Sequence, residues 1–178
     1  MPKNNKYIYV EMRTKWPAAR YNKEWRITMR KIECLGYNAL DIAEYVIKYE
    51  ESQGHTINNL KLQKILYFLQ AEFVTFQGAS LFKEDLVAWD FGPIVEVVYY
   101  NYNLFGSATI YLNPKNCRNE YIDTETREVI NSLLDKIRPY SATQLVYICH
   151  NQRPWKNARM RYSKVISLEE LKDYFSEE

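Results

Sequence analysis

The residues best suited to nucleophilic catalysis are Cys149 and His150, which are neighbours in the sequence. A thiol nucleophile needs a base that can reach it and take its proton. The surrounding pattern is helical, and neighbouring side chains on a helix point about 100° apart and do not face each other. We therefore expect no catalysis by this pair, and we predict that the protein is not an enzyme.

The sequence also contains no metal-ligand or phosphate-binding pattern. The three cysteines, Cys34, Cys117 and Cys149, lie 83 and 32 positions apart, and neither spacing resembles a zinc-ligand pattern. The two histidines, His55 and His150, do not complete a set of about four ligands. A chain with only five glycines offers no glycine-rich phosphate loop. We expect ordinary reduced thiols, no metal and no cofactor.

Length and apolar content predict a single soluble domain. The chain has 178 residues, 47% of them hydrophobic, which is enough for one substantial core. Apolar stretches such as Ile65–Leu69 are far shorter than the roughly 18 to 20 residues that span a bilayer. Lys3, Lys6 and Glu11 interrupt the beginning of the chain, where a secretory signal would have an apolar middle. We expect a cytoplasmic protein that does not enter the membrane.

Charge is unevenly distributed along the chain. Residues 1–35 carry nine Lys/Arg against three Asp/Glu, a formal charge of +6, whereas residues 36–178 carry fifteen against nineteen, or −4. Tyr7–Met12 and Trp25–Met29 alternate like strands around a basic loop that contains a proline. We predict a basic, strand-like N-terminal segment at 1–35 and a main domain at 36–178. Translation from Met29 is the alternative explanation of the first segment.

Helical patterns dominate the main domain. Polar capping residues are followed by apolar residues at 3.6-residue spacing in several places. The predicted helices begin near Asn38, Asn58, Pro93, Val129, Ala142 and Leu168. The second of them carries a continuous apolar stripe from Leu62 to Phe76 and ends at Gly78. We therefore predict a mainly α fold, a single compact domain of about five or six helices.

A small two-stranded β element is predicted within this helical domain. Leu86–Phe91 alternates apolar and polar residues, which is typical of a strand. Thr109–Leu112 is its predicted partner strand. Gly92 then ends the first strand, and Pro93 fits the first turn of the helix that follows, where its missing N–H costs nothing.

Four sequence elements occur in an order that is typical of one family. They are Tyr37–Ala43 (YNALDIA), Asn58–Phe68 (NNLKLQKILYF), Leu86–Val95 (LVAWDFGPIV), and His150 followed by Pro154–Lys156 (PWK). Between Asn38 and Arg159 the chain thus resembles the Panacea domain, the SocA-like antitoxin domain also known from GepA-type prophage proteins. The resemblance implies an antitoxin of a toxin-antitoxin system.

The resemblance also implies the kind of partner. Such an antitoxin neutralises a cognate toxin, encoded by the adjacent gene, through direct protein-protein binding. A related possibility is a proteolytic adapter, which holds the toxin while a cellular protease degrades it. Both mechanisms depend on a recognition surface and require no catalytic group.

Partner-binding residues are predicted on the helix formed by Asn58–Phe68, which we call the hallmark helix of the family. Lys61, Gln63, Lys64 and Tyr67 lie off the apolar stripe, at motif positions where packing alone would not specify Lys and Gln. The resemblance therefore assigns them to toxin binding, together with Tyr99 on the helix after the Gly-Pro pair. We expect substitutions at these positions to abolish neutralisation with little effect on stability.

The other motif residues are predicted to be structural. They are Leu62, Leu66, Trp89, Gly92, Pro93, Pro154 and Trp155. The leucines face the core, the Gly-Pro pair reverses the chain, and the two indoles fill the core. If the hallmark helix does not bind the toxin, the alternative recognition surface lies around Tyr99, Tyr100 and the Pro154-Trp155 turn.

A basic run near the end of the chain supports a second function. Its members are Arg153, Lys156, Arg159, Arg161 and Lys164, with Trp155 and Tyr162 between them. A run of this kind can follow a phosphate backbone or meet an acidic protein. The alternative function is therefore a nucleic-acid-binding transcriptional regulator of phage or mobile-element origin, although no helix-turn-helix signature stands out.

Overall fold

The computed structural model describes residues 32–113 and 122–176. The strand-like patterns predicted at Tyr7–Met12 and Trp25–Met29, and the third cysteine, Cys117, lie outside these residues. The division into segments 1–35 and 36–178 therefore stays a prediction. The other two cysteines, Cys34 and Cys149, are both free.

The described part of the chain is mainly α-helical, which confirms the predicted fold class. Seven α-helices lie within the described residues: α1 (Ala39–Ser52), α2 (Asn59–Glu72), α3 (Glu96–Tyr102), α4 (Thr124–Ile137), α5 (Ala142–His150), α6 (Arg153–Arg159) and α7 (Leu168–Ser176). The helix that sequence reasoning missed is α6. It follows α5 after only two residues and begins with a proline in its first turn.

Local hydrogen bonds explain where three of the helices begin. The Asn58 side chain accepts from the Lys61 backbone N–H at 2.9 Å, and the Asp123 side chain accepts from Thr126 N–H in the same way. Ser141 and Gln144 form a reciprocal capping box at the start of α5. These contacts satisfy backbone donors that the first helical turn leaves without partners.

Helix α2 is the centre of the fold. It contacts five of the other helices, α1, α3, α4, α5 and α7, as well as strand β4 (Gly92–Ile94). Twelve of its fourteen residues are buried. The helix continues as a π-helical turn at Phe73–Gln77 and stops at Gly78, which adopts a left-handed conformation with φ of +71°.

Two small sheets lie beside the helices. Strands β1 (Glu33–Tyr37) and β2 (Ala79–Phe82) pair in parallel, and the chain between them forms α1 and α2. Strand β3 (Leu86–Trp89) is the middle of an antiparallel sheet between β4 and β5 (Val165–Ile166). None of the helices within residues 32–113 and 122–176 is long and apolar enough to cross a bilayer.

The predicted pairing of Leu86–Phe91 with Thr109–Leu112 is wrong. Strand β3 pairs instead with β4 across a two-residue turn at Asp90 and Phe91. Thr109 forms only an isolated bridge with Asn58. A two-residue hairpin closes a far shorter loop than a pairing across α3 would, so its entropic cost is lower.

The predicted helical position of Pro93 is also wrong. Pro93 lies in β4, where it is the register partner of Ala88, and α3 begins only at Glu96. The segment Gly92–Ile94 stays extended because it pairs with β3. Side chains of α2 then bond the polar backbone groups that β3 does not reach.

Candidate functional site

The buried lysine of the hallmark helix holds strand β4 in place. Lys64 is completely buried, and its Nζ donates a hydrogen bond to the Pro93 carbonyl oxygen at 2.8 Å. Gly92 leaves the space for this side chain, because a Cβ at that position would lie 2.9 Å from Lys64 Cε. Lys64 therefore packs directly against the Gly92-Pro93 pair of the motif.

Two amide side chains continue this network from α2 to α3. Gln63 Oε1 accepts from Val95 N–H at 2.8 Å, and Gln63 Nε2 donates to Asn59 Oδ1 at 2.9 Å. Asn59 Nδ2 in turn donates to the Tyr99 carbonyl oxygen at 3.0 Å. The two amides lie four positions apart on one helical face. Together they bond the backbone N–H of Val95, directly before α3, and the carbonyl oxygen of Tyr99 within α3.

A third set of contacts ties α2 and β3 to the corner between α5 and α6. The Tyr67 hydroxyl donates to Gln152 Oε1 at 2.7 Å, and Gln152 directly precedes α6. Trp155 Nε1 donates to the Trp89 carbonyl oxygen at 3.1 Å. The imidazole of His150 stacks on Trp155 with ring centroids 4.2 Å apart. The late His and Pro-Trp element therefore docks on the hallmark helix and on the strand before the Gly-Pro pair.

Lys61 lies at the other end of the network. It is half-buried, and its Nζ donates to the carbonyl oxygen of Arg138 at 3.0 Å, at the C-terminus of α4. A cation is favourable there because the last carbonyls of a helix carry partial negative charge. Arg138 itself forms an ion pair of 2.8 Å with the buried Glu50 on α1.

The expectation that the hallmark helix presents a polar recognition face is wrong. Gln63, Lys64 and Tyr67 are at most 1% exposed, and each bonds another element of the domain. The apolar stripe marks one buried face, but α2 is enclosed on its other faces too. Substitutions at these three positions will therefore disturb the fold, contrary to what we expected from the sequence.

The two indoles also lie elsewhere than predicted. Trp89 and Trp155 are half-buried at the edge of the core and do not fill it. Leu62 and Leu66 are completely buried, and Pro154 is buried at the start of α6. Of the residues assigned to partner binding, Gln63 and Tyr99 line a groove in the described part of the chain, and of these two only Tyr99 is more than 1% exposed.

Burial shifts the acid-base behaviour of the groups around Gly92. It lowers the pKa of Lys64 to about 8 and raises the pKa of the Cys149 thiol to about 12. Burial also lowers the pKa of His150. Cys149 is completely buried, so its thiol is neither ionised nor accessible at neutral pH. Within the described residues no group of His, Cys, Asp or Glu side chains is arranged to hold a metal ion.

The buried lysine predicts a specific pH dependence of stability. Between its folded pKa of about 8 and its ordinary value of 10.5, the unfolded chain holds a proton that the folded chain has lost. The free energy of unfolding should therefore rise with pH through this window, by up to about 3 kcal/mol. Lys64→Met should remove that rise, which denaturant titrations of both proteins between pH 7 and 10.5 will measure.

Two other groups must be separated from Lys64 in this experiment. Burial lowers the pKa of Lys136 to about 8, but this lysine is present in both proteins and its effect cancels in their difference. The raised pKa of Cys149 lowers stability above its ordinary value of 9.0, so the comparison is repeated with Cys149→Ala in both proteins. If the difference in unfolding free energy between wild type and Lys64→Met stayed constant from pH 7 to 10.5, the lowered pKa of Lys64 would be contradicted.

An aromatic groove opens beside the buried network. We define it by Trp89, Phe91, Ile94 and Tyr99, with Leu60 and Lys164 at its rim, and its volume is about 540 Å³. The centroid of the Trp89 ring lies 5.0 Å from the centroid of the Tyr99 ring and 6.1 Å from that of the Tyr100 ring. These contacts are of the kind that orient aromatic side chains.

Large apolar side chains remain exposed around the aromatic groove. Phe91 is 71% exposed, Tyr100 57% and Leu104 95%. Tyr100 and Leu104 are four positions apart, on α3 and in the turn that follows it, and Phe91 lies in the turn between β3 and β4. An exposed apolar patch of this kind is typical of a binding surface.

The basic run is partly engaged in contacts within the domain. Arg159 pairs with Asp90 at 2.5 Å and donates to the Ala88 carbonyl oxygen, which ties α6 to β3. Arg161 forms an ion pair with Glu170 on α7. Lys156 and Lys164 are exposed. The predicted basic run therefore includes two arginines that connect helices and strands.

Comparison with known proteins agrees with this arrangement of motifs. The sequence profile of the family described as antitoxin SocA-like, Panacea domain, matches residues 62–156, which is more than half of the chain. The chain belongs to this family. The match runs from the buried positions of α2 to the Pro-Trp element of α6, so it includes Gln63, Lys64, Tyr67, Gln152 and Trp155 of the network but not Asn59 or Lys61.

A curated relative matches part of the chain. Antitoxin SocA of Caulobacter vibrioides is 31% identical to it over an alignment of 111 residues, and the match covers 56% of this chain. The chain spans 58% of the length of that relative. No solved structure matches.

Sequence reasoning missed several residues of the site. Asn59 and Gln152 each bond a buried side chain of α2, and Phe91 lies at the aromatic groove; Lys164, expected only as a member of the basic run, lies there too. Asn59 could have been found, because an amide four residues before Gln63 lies on the same helical face. Phe91 continues the alternation of Val87 and Trp89, which are half-buried, whereas the buried residues of the strand are Leu86 and Ala88.

Proposed function

We propose that this protein is the antitoxin of a toxin-antitoxin pair. It neutralises a cognate toxin, encoded by the adjacent gene, by direct protein-protein binding and without catalysis. Membership of the Panacea family supports the class of function. The observation that carries the binding mode is the aromatic groove with the exposed Phe91, Tyr100 and Leu104 around it.

The chemistry of the aromatic groove suits a protein partner. Tryptophan and tyrosine dominate the binding energy of protein interfaces, because they offer large areas with few rotatable bonds. The contacts between Trp89, Tyr99 and Tyr100 hold these rings in defined positions before the toxin arrives. Such preorganisation lowers the entropic cost of binding.

Phe91→Ala should abolish protection against the toxin while the melting temperature changes little. Phe91 is 71% exposed, so its removal leaves no cavity, but an aromatic anchor at an interface contributes about 2 kcal/mol or more. The measurement is survival of cells that express the toxin with each antitoxin variant, together with thermal melting of the purified protein.

Tyr147→Ala is the matched control for this experiment. Tyr147 is also an exposed aromatic residue, 57% accessible, but it lies on α5 and does not line the aromatic groove. Its removal should leave protection intact. Loss of protection with Tyr147→Ala, or full protection with Phe91→Ala, would place the recognition surface elsewhere.

The choice between a blocking antitoxin and a proteolytic adapter needs a separate comparison. A blocking antitoxin protects cells whether or not the protease is present, because binding alone inactivates the toxin. An adapter protects only where the protease degrades the bound toxin. Co-expression of toxin and antitoxin in cells with and without the protease therefore distinguishes the two mechanisms.

The contacts of the basic run do not favour a nucleic-acid-binding regulator as a second function. Arg159 and Arg161 are paired with Asp90 and Glu170, and residues 36–178 carry fifteen Lys/Arg against nineteen Asp/Glu. Substitution of these arginines would also break contacts that hold α6. Lys156 is exposed on α6 and is the better position at which to test DNA binding.

A further inference from the structure

We propose that the aromatic groove receives a segment of the toxin in which an apolar side chain lies next to a carboxylate, and that Lys164 pairs with this carboxylate. The inference rests on the proposed function and specifies the chemistry of the partner's segment. It is carried by the apolar lining of the groove, by the balance of charges at its rim and by the position of Lys164.

The lining of the aromatic groove fits apolar side chains. Its walls are the rings of Trp89, Phe91 and Tyr99 together with the aliphatic side chain of Ile94. A volume of about 540 Å³ falls within the range of roughly 300 to 1,000 Å³ that is typical of pockets for compact ligands. The space therefore suits one or two side chains of a partner rather than a whole helix.

The charges at the rim favour an anion. Arg159, Lys164 and Asp90 are the charged residues that line the groove. The Asp90 carboxylate already pairs with Arg159 at 2.5 Å. Lys164 is exposed, and its ammonium forms no ion pair with any other residue in the described part of the chain. One positive charge at the rim is thus left for a carboxylate.

A buried positive charge lies behind the groove wall. The ammonium of Lys64 bonds the Pro93 carbonyl oxygen, and Gln63 and Ile94, the chain neighbours of these two residues, both line the groove. With a pKa of about 8 it is protonated at neutral pH. It therefore adds to the attraction that Lys164 exerts on an anionic partner.

The backbone fixes Lys164 at the rim. Its φ of +53° is unusual for a residue other than glycine, and its carbonyl oxygen accepts from Ala88 N–H at 2.8 Å beside the pairing of β3 with β5. Strained backbone conformations of this kind are concentrated at functional sites. The lysine therefore has a defined starting position on the same sheet that carries Trp89.

A nucleic acid is the less suitable occupant. Binding along a phosphate backbone depends on several cations, each of which neutralises a separate phosphate. Among the described residues, the aromatic groove offers one unpaired cation at its rim, because Arg159 already has a carboxylate partner. A single carboxylate beside an apolar side chain matches this arrangement better.

The test uses the full-length protein and the purified product of the adjacent gene. We expect Lys164→Glu to weaken binding at least tenfold, because charge reversal places two carboxylates together in a partly desolvated site. Lys156→Glu is the matched control, since Lys156 is equally an exposed lysine but lies outside the groove. It should bind within about threefold of wild type, as expected for a peripheral charge. Thermal melting of each variant establishes that it is folded.

A charge exchange then identifies the partner group. Asp and Glu residues of the toxin are replaced one at a time by Lys, and each variant is tested against wild type and Lys164→Glu. The expected result is one toxin variant that binds Lys164→Glu at least tenfold better than it binds wild type. If every toxin variant bound wild type at least as tightly as it bound Lys164→Glu, the pairing of Lys164 with a toxin carboxylate would be overturned.

The remaining outcomes also decide the question. Wild-type binding by a folded Lys164→Glu protein would overturn this inference and leave the proposed function standing. Absence of binding and protection by the wild-type protein itself would overturn both. Retention of a labelled single-stranded DNA that is lost in Lys164→Glu, with no effect on toxin binding, would assign the groove to nucleic acid instead.

Discussion

The Gly92→Ala substitution is expected to lower the free energy of unfolding by about 2 to 6 kcal/mol. Gly92 has a φ of +94°, a conformation that costs other residues about 1 to 3 kcal/mol. The added Cβ would also lie 2.9 Å from Lys64 Cε and 3.1 Å from Lys64 Nζ. Lys64 cannot move aside freely, because it is buried and bonded to the Pro93 carbonyl oxygen. Denaturant titration measures the loss.

Gly54→Ala separates the two causes. Gly54 also has a positive φ, +76°, but a Cβ at that position would meet nothing within 4 Å. It should therefore lose only the conformational part, about 1 to 3 kcal/mol. In addition, Gly92→Ala and Lys64→Ala should be less harmful together than the sum of the single effects, by at least about 0.5 kcal/mol. Additive effects would mean that the two side chains do not compete for space.

Leu66→Ala is expected to cost about 2 to 5 kcal/mol of stability and to abolish protection through unfolding. Leu66 is completely buried in the middle of α2, which contacts five other helices. Truncation removes apolar contacts and leaves a cavity that the surrounding helices cannot close, since each of them is also held by other contacts. The loss is a large share of the stability of a domain of this size.

Leu104→Ala provides the comparison for Leu66→Ala. Leu104 is 95% exposed, so its removal should change the free energy of unfolding by less than about 0.5 kcal/mol. Thermal and denaturant unfolding of both variants measure the difference. A small effect of Leu66→Ala would contradict the central position of α2.

The boundaries of α2 could be predicted closely because local chemistry determines them. The expected helix ran from Asn59 to Gln77, and the chain is helical over this range, with a π-helical turn in place of its last five residues. An asparagine before the helix and a glycine after it can be recognised in the sequence, and the structure shows that they cap its two ends.

The environment of the polar side chains on α2 could not be predicted in the same way. Periodicity shows which face is apolar, but it cannot show whether another element covers the polar face. Here β4 and the corner between α5 and α6 cover it, and their backbone and side-chain groups match Lys64, Gln63 and Tyr67 one by one. Buried polar groups of this kind need their partners, which are up to 85 residues away in the sequence.

The recognition surface depends even more on tertiary structure. The aromatic groove joins residues of α2, the β3–β4 hairpin, α3 and the segment before β5. No sequence window contains more than part of it. The alternative surface expected around Tyr99 and Tyr100 overlaps with the groove, but Phe91 and Lys164 enter it only through the hairpin and the pairing of β3 with β5.

The inward orientation of the motif side chains has an evolutionary consequence. Lys64, Gln63 and Tyr67 bond groups of the same chain, so a change in any one of them must be accompanied by a change in its partner if the domain is to stay folded. Exposed positions such as Phe91 are free of this constraint and can be replaced at little cost in stability. A domain built in this way can acquire a new partner by surface substitutions alone, while its internal contacts remain unchanged.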